Sequence, residues 1–184
     1  SREPVSSTTY ARSFDVGDLD GDGDLDLVVS DLSGGSTSTL LNNGAGLFGE
    51  AGSFALTSSV NVVAVGRIDA DGLADVVTAR RACTPSCETT VSVYTGHSDG
   101  SFSLAQTSVV PAYSTQAEAF ALADVTGDGL DDLLMLGSGL EVLPADGTGK
   151  LGARMTFLTG YPQPDVLEVA DLDGAGRKDV VVNG

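Results

Sequence analysis

The chain contains the stretch Asp18-Leu-Asp-Gly-Asp-Gly-Asp-Leu-Asp26 and repeats it three times in altered form. The other copies are Arg67-Ile-Asp-Ala-Asp-Gly-Leu-Ala-Asp75, Asp124-Val-Thr-Gly-Asp-Gly-Leu-Asp-Asp132 and Asp171-Leu-Asp-Gly-Ala-Gly-Arg-Lys-Asp179. We call them loops one to four and number their positions 1 to 9. The copies start 49, 57 and 47 residues apart. Periods of this size indicate a repeat architecture.

Each loop lies between two short runs of β-branched and aliphatic residues, which predict strands. The runs are 10–16 and 25–30, 60–65 and 75–79, 119–123 and 132–136, and 166–170 and 179–182. Glycine-rich turns with Asn-Gly or Asp-Gly signals follow at 42–48, 96–102 and 145–151. One unit is therefore four antiparallel strands, with the acidic loop joining strands one and two. The sequence predicts an all-β fold, a β-propeller segment of four-stranded blades.

Acids at positions 1, 3, 5 and 9, with glycine at position 6, suit a hard cation in a short turn. Calcium takes roughly 6 to 8 oxygen ligands from carboxylates, carbonyls and water. Gly23 permits the sharp reversal because it has no Cβ. The predicted calcium ligands are Asp18, Asp20, Asp22, Asp26 and the carbonyl of Asp24 in loop one; Asp124, Thr126, Asp128, Asp132 and the carbonyl of Leu130 in loop three; and Asp171, Asp173, Asp179 and the carbonyl of Arg177 in loop four.

The four loops are unequal, so their sites are expected to be unequal. Loop one has all four acids, loop three has a threonine at position 3, and loop four has an alanine at position 5. Loop two begins with Arg67, which cannot coordinate a cation. We expect two to three calcium sites and an empty loop two, in which the Arg67 guanidinium is the counter-charge for Asp69, Asp71 and Asp75. An EF-hand is excluded because position 12 of loop one is Val29 and not a bidentate glutamate.

The strand, the Asp-x-Asp-Gly-Asp-Gly-x-x-Asp loop, the Val-Val run and Leu-Leu-Asn-Asn-Gly-x-Gly-x-Phe together resemble the FG-GAP/VCBS repeats of integrin α-subunit propellers. The resemblance covers nearly the whole chain. It implies that the loop is a calcium site and that the opposite face of the propeller carries ligand contacts.

Composition and charge narrow the function classes. The formal net charge is −17, and fifteen of the twenty-six acidic residues lie in the four loops. Only nine lysines and arginines are present, which argues against nucleic-acid binding. No apolar run is long enough to span a bilayer, so no membrane insertion is expected. The chain starts without Met or a visible signal peptide, which indicates processing or excision.

Two cysteines, Cys83 and Cys87, lie in an apparent insertion over residues 80–90. They predict an intraloop disulfide, which an oxidising exterior favours. Reduced thiols are the alternative. We therefore expect a secreted or cell-surface protein.

Strand parity places the calcium loops and glycine turns on one face and the cysteine insertion on the other. Arg80, Arg81, Tyr113 and Tyr161 are candidates for a recognition surface there, or ordinary loop residues. The single histidine, His97, lies in a turn with no nucleophile pattern, so no catalytic residue is predicted and the segment is not expected to be an enzyme.

The expected domain is single, with blades over about 9–57, 58–110 and 115–160 and a partial blade over 161–184. Residues 2–8 resemble a fourth strand of a preceding or closing blade. We expect further blades or a second chain to complete the propeller; a compact four-bladed closure is the alternative. The predicted function is an extracellular calcium-binding module for cell adhesion or recognition of protein or glycan. An accessory domain of a secreted polysaccharide-active enzyme and a structural spacer are the alternatives.

Overall fold

The computed structural model describes residues 11–31, 36–55, 62–83, 87–111, 119–137, 139–157 and 166–182. Its secondary structure there is entirely β, so the predicted fold class is confirmed. No helix in these ranges is long and apolar enough to cross a membrane. Residues 2–8, Tyr113 and Tyr161 lie outside the described residues, and the expectations that rest on them stay predictions.

Fourteen strands are described, and their bounds follow the β-branched runs. They are β1 (Ala11–Gly17), β2 (Asp26–Asp31), β3 (Ser36–Asn42), β4 (Phe48–Ala55), β5 (Val62–Gly66), β6 (Asp75–Cys83), β7 (Cys87–Gly96), β8 (Phe102–Pro111), β9 (Ala119–Ala123), β10 (Asp132–Leu136), β11 (Leu140–Leu143), β12 (Met155–Phe157), β13 (Leu167–Ala170) and β14 (Asp179–Val182).

The strands form consecutive antiparallel sheets. The first three sheets are β1-β2-β3-β4, β5-β6-β7-β8 and β9-β10-β11-β12, and the fourth is the pair β13-β14. The first strands lie next to one another in chain order, β1 against β5, β5 against β9 and β9 against β13. This is the arrangement of propeller blades. The predicted blade and domain limits stay predictions.

The core consists of three apolar layers, one between each pair of neighbouring sheets. Leu19, Val28, Val63, Val76 and Tyr94 fill the first layer. The second contains Ile68, Val77, Val91, Val93, Leu133, Met135 and Leu143, and the third contains Ala123, Leu134 and Val142. Because side chains alternate between the faces of a strand, each inner sheet contributes to two layers.

Polar contacts also join neighbouring sheets. Asp15 Oδ2 in β1 accepts a hydrogen bond from the Val65 amide of β5 at 2.8 Å. The side-chain amide of Gln106 in β8 donates to the carbonyl of Leu151 at 3.1 Å and accepts from the Leu151 amide at 2.7 Å. These paired contacts fix the register of one sheet on the next.

The expected insertion around the cysteines is not a loop along most of its length. Strand β6 continues to Cys83 and β7 begins at Cys87, with Arg80 opposite Thr90 and Arg81 opposite Thr89. The extra residues therefore lengthen a hairpin, and both arginines lie within β6. Cys83 pairs with Cys87 through the backbone register, but their side chains lie outside the described atoms, so the disulfide stays a prediction.

Candidate metal centres

The four acidic loops connect the first and second strands of the four sheets, as predicted. In loop one the carboxylate of Asp18 organises the turn: Oδ1 accepts from the Gly21 amide at 2.8 Å and Oδ2 from the Gly23 amide at 3.0 Å. Gly23 has φ +93°, a region open to glycine and rarely to other residues. The same two contacts recur for Asp124 in loop three and Asp171 in loop four.

Loop one brings three carboxylates together. Asp18, Asp20 and Asp22 each offer an oxygen, and these oxygens lie within 4.8 Å of one another. Asp20 Oδ1 also accepts from the Asp22 amide at 3.2 Å, and Asp22 Oδ1 from the Asp24 amide at 2.9 Å. Desolvation, together with the negative charges of neighbouring aspartates, raises the pKa of Asp20 above its usual range. A cluster of hard oxygen donors matches the chemistry of a calcium site.

Loop four forms the second such cluster in the described ranges. Asp171, Asp173 and Asp179 have carboxylate oxygens within 4.8 Å of one another. Asp171 and Asp173 are exposed and Asp179 is half-buried. The cluster therefore survives the replacement of the position-5 acid by Ala175, because the position-9 acid is close enough to take part.

Loop three does not bring its acids together in this way. Asp124 holds its turn, Asp128 Oδ1 accepts from the Leu130 amide at 2.9 Å, and the exposed Thr126 donates its amide to Asp132. The Leu130 side chain packs against the core between the second and third sheets. The calcium ligands predicted here, including the Leu130 carbonyl, stay a prediction.

The position-9 aspartates have a second task, which the sequence analysis missed. Asp26 is fully buried; its Oδ2 accepts from the Leu19 amide and its Oδ1 from the Asn42 amide, both at 2.8 Å. One carboxylate therefore ties the acidic loop to the end of β3.

The same link exists in the other two complete sheets. Asp75 accepts from the amides of Ile68 and Gly96 at 2.7 and 3.0 Å, and Asp132 from those of Val125 and Ala145, both at 3.0 Å. Burial raises the pKa of Asp75, against the opposing effect of its backbone donors. A signal was present in the sequence: aspartate occupies position 9 in all four copies, whereas positions 1, 3 and 5 vary.

The position-7 residues were predicted to offer backbone carbonyls, and the structure describes their side chains. Arg177 is exposed and Asp24 is half-buried. The Asp24 carboxylate lies over the turn between β3 and β4, where a Cβ built on Gly44 would come within 2.6 Å of Asp24 Oδ2. Their carbonyls as cation ligands stay predictions.

The prediction that the Arg67 guanidinium is the counter-charge for the acids of loop two is wrong. The Arg67 guanidinium donates to the carbonyl of Gly129 in loop three at 3.3 Å. Its backbone amide donates to Asp131 Oδ2 at 2.8 Å, and its carbonyl accepts from the Asp131 amide at 2.7 Å. Among the described residues, no ion pair joins the Arg67 guanidinium to the acids of its own loop. Arg67 reaches loop three because the first strands of neighbouring sheets, β5 and β9, lie next to each other.

The faces are arranged as strand parity predicted. The loops and the glycine turns share one end of each sheet, since the position-9 aspartates bond to both, while β6 and β7 carry Cys83 and Cys87 to the other end. His97 is exposed in its turn, with Nε2 2.7 Å from Ser103 Oγ.

Comparisons with known proteins bear on this architecture. A family model described as an FG-GAP-like repeat matches residues 18–78 and again residues 67–135. No curated protein matches the sequence. Among solved structures, a rhamnogalacturonan lyase of Bacillus licheniformis is similar with a TM-score of 0.58 and 20% identity. The match covers 92% of this chain and 35% of the lyase chain, so it shows a shared fold and spans about a third of that enzyme's length.

Proposed function

Because the chain belongs to the FG-GAP-like repeat family, we propose that it is a calcium-stabilised β-propeller module that recognises an extracellular protein or glycan and is not itself an enzyme. The observation that carries the proposal is the carboxylate cluster of Asp18, Asp20 and Asp22, which recurs at the equivalent loop in Asp171, Asp173 and Asp179. The same turn geometry at two sites, about 150 residues apart in a repeat, favours a common ligand.

Calcium fits these donors better than a transition metal does. All the converging atoms are carboxylate oxygens, and hard oxygen donors suit calcium or magnesium, whereas zinc prefers sulfur and nitrogen. Three carboxylates leave room for carbonyls and water in a shell of roughly 6 to 8 ligands. We place the strongest site in loop one, with the Asp24 carbonyl as a further ligand, and weaker sites in loops four and three.

Calcium would stabilise the fold by relieving charge repulsion. The chain carries a net charge of −17, and the oxygens of each cluster lie within 4.8 Å of one another. A cation that binds only the folded chain stabilises it by mass action. The bound ion would hold strands one and two at the loop end of each sheet, and this leaves the opposite end for recognition.

The recognition surface we propose lies at that opposite end. The long β6–β7 hairpin reaches that end and carries Arg80 and Arg81, both half-buried, in a strongly acidic chain. A local positive charge of this kind would favour an acidic partner, such as an acidic glycan or a carboxylate-rich protein surface. A module that calcium stabilises suits the calcium-rich exterior of a cell, so we propose that it is secreted or displayed at a cell surface.

A second candidate is an accessory module of a polysaccharide-active enzyme. The fold likeness to a rhamnogalacturonan lyase favours it. Binding to an acidic polysaccharide, with loss of binding in Arg80→Ala/Arg81→Ala, would support this role. Binding to matrix proteins and to no glycan would support adhesion.

A calcium titration tests the main proposal. The melting temperature should rise on adding calcium and fall on adding a chelator, and native mass spectrometry should count two or three ions. Asp22→Asn should remove one ion, whereas Asp99→Asn in an ordinary turn should remove none. A melting temperature that ignores both calcium and chelator would contradict the proposal.

A further inference from the structure

The turn that joins β3 and β4 carries an asparagine followed by a glycine, Asn43-Gly44, and both residues are exposed. The turn is closed by the Asn43 amide, which donates to the carbonyl of Leu47 at 3.1 Å. Gly44 has φ +74°, a backbone region in which a residue with a Cβ is strained. The turn therefore requires a glycine after Asn43, and the backbone nitrogen of that glycine has no side chain beside it to shield it.

The side chain of Asn43 folds back over the backbone that follows it. Its Oδ1 accepts from the Ala45 amide at 3.0 Å and from the Leu47 amide at 3.3 Å. The bond to the residue two positions on closes a ring of atoms that contains both Cγ of Asn43 and the nitrogen of Gly44. Among the described residues, no hydrogen bond engages the Gly44 amide. The side-chain carbon and this backbone nitrogen are thus held close together, and the nitrogen is free to react.

The neighbouring asparagine has a different environment. Asn42 is half-buried at the end of β3, and both polar atoms of its side chain are engaged. Its Nδ2 donates to the Leu25 carbonyl at 3.2 Å, and its Oδ1 accepts from the Gly46 amide at 3.1 Å. The residue after Asn42 is Asn43, which has a side chain. Only the second asparagine of the pair therefore combines an exposed carboxamide with an unshielded backbone nitrogen.

The third sheet shows that this position stays open when a neighbouring sheet lies beside the turn. Asp146 is the equivalent residue, since its Oδ1 accepts from the Thr148 amide at 2.8 Å and from the Lys150 amide at 3.3 Å. It is exposed, although Asp69 of loop two pairs with Gly147 in the same turn. The hydroxyl and the amide of Thr148 hold the pKa of Asp146 below its usual range. An aspartate thus fits this turn with the same two amide contacts as the asparagine.

We propose that Asn43 is a site of spontaneous covalent modification, at which the Asn43-Gly44 pair deamidates through a cyclic imide. A base from the solvent removes the proton of the Gly44 amide, and the nitrogen attacks Cγ of Asn43. The new bond between carbon and nitrogen closes the ring, and the bond between Cγ and Nδ2 breaks to release ammonia. The amides of Ala45 and Leu47 stabilise the negative charge that Oδ1 carries in the intermediate. The turn supplies the proximity that ring closure needs.

Water then opens the ring at either of its two carbonyl carbons. Addition at Cγ breaks the bond from Cγ to the Gly44 nitrogen and gives an aspartate. Addition at the backbone carbonyl gives an isoaspartate, in which the main chain runs through Cβ and Cγ. In sum, a water is consumed, an ammonia is released and the chain gains a negative charge. The aspartate keeps the turn, as Asp146 does, whereas the isoaspartate lengthens the main chain and disrupts the bond to Leu47 that closes the turn.

Incubation of the folded chain at neutral and mildly alkaline pH tests the proposal. The reaction does not depend on calcium, so it should proceed equally in calcium and in chelator. Ion-exchange chromatography should show a new species with an additional negative charge, and peptide mapping by mass spectrometry should place the change at Asn43 and not at Asn42. Both aspartate and isoaspartate should be found, because the cyclic intermediate opens in two ways. The rate should rise with pH, because the attacking nitrogen must lose its proton.

Two variants and one reference state complete the experiment. Asn43→Gln should lose the modification at this turn, because its longer side chain would have to close a larger ring. Asn43→Asp marks the elution position of the aspartate product and should unfold at the same urea concentration as the unaltered chain. Circular dichroism checks that both variants fold. The chain unfolded in urea is the reference without the turn, and Asn43 should convert in the folded chain as well as in this reference.

Three results would overturn the proposal. If Asn43 stays intact in the folded chain and converts only in urea, the turn protects the side chain. If the product forms at Asn42 instead, the contrast between the two environments is wrong. If aspartate forms without any isoaspartate, the reaction does not pass through the cyclic imide.

Discussion

The buried position-9 aspartate gives the sharpest prediction, because it separates a backbone-linking role from a cation-binding role. Asp26→Asn keeps one oxygen and replaces the other by an amide group that cannot accept from Leu19 or Asn42. A hydrogen bond to a charged group contributes about 1.5–3 kcal/mol, and a buried donor left without an acceptor adds to the loss. We expect the free energy of unfolding to fall by about 1.5–3 kcal/mol, a large share of the roughly 5–15 kcal/mol of a typical domain.

The assay is urea unfolding in chelator and again in excess calcium. In chelator Asp26→Asn should already show nearly its full loss, because the backbone bonds need no ion. Asp22→Asn is the matched control, since Asp22 is an exposed member of the carboxylate cluster in the same loop. It should change stability by less than about 0.5 kcal/mol in chelator and reduce the stabilisation that calcium gives.

The reverse result would refute the reasoning. If Asp26→Asn is neutral in chelator and loses stability only in calcium, then Asp26 acts mainly as a cation ligand. The backbone contacts at 2.8 Å would then contribute little.

Three further predictions concern close packing, loop two and pH. Gly96→Ala should lower the free energy of unfolding in urea by about 1–3 kcal/mol, because the new Cβ would lie 2.2 Å from the carbonyl oxygen of Ala74. Gly49→Ala is the control: no atom lies within 4 Å of its Cβ, so the free energy of unfolding should change by less than about 0.5 kcal/mol. Equal effects of the two substitutions would contradict this prediction. Arg67→Asp gives loop two an acid at its first position, so native mass spectrometry should count one more bound calcium ion. An unchanged number of bound ions would show that this loop cannot form a site. Burial raises the pKa of Glu141, although Arg154 opposes the shift. The folded chain therefore holds this proton more tightly than the unfolded chain does. The stability that this difference contributes is lost as the pH rises from about 4.3 through the raised pKa. Glu141→Gln should therefore show a shallower fall in stability across that range, and parallel pH profiles would disagree with the stated shift.

The sequence predicted the fold closely because the loops fix the strands beside them. Strands β9 and β10 have the predicted bounds, since the turn between them is set by glycines and by Asp124. The β6–β7 hairpin was harder. A stretch with Pro and two Cys indicates a loop, but cross-strand pairing from Arg80 to Cys83 extends both strands.

The site was predictable only where one loop contains all its partners. The clusters in loops one and four arise within nine residues, so spacing was enough to find them. The Arg67 contact joins residues 62 positions apart in different sheets, and no local pattern encodes that distance. The backbone-linking role of Asp26 was missed for a related reason. An aspartate that opens an apolar strand is buried by its neighbours, and burial is not visible in a list of oxygen donors. Its predicted role as a calcium ligand stays a prediction.

The aspartate link between each loop and its own hairpin has a consequence for how such repeats diverge. Because Asp75 joins Ile68 to Gly96 inside one repeat, the second repeat keeps its shape although its loop begins with an arginine where the other three begin with an aspartate. Each repeat can thus gain or lose an ion by substitution at its exposed positions while its neighbours stay unaltered. A calcium requirement, where a repeat has one, can therefore change one repeat at a time, while the aspartate at position 9 keeps each loop joined to its own hairpin.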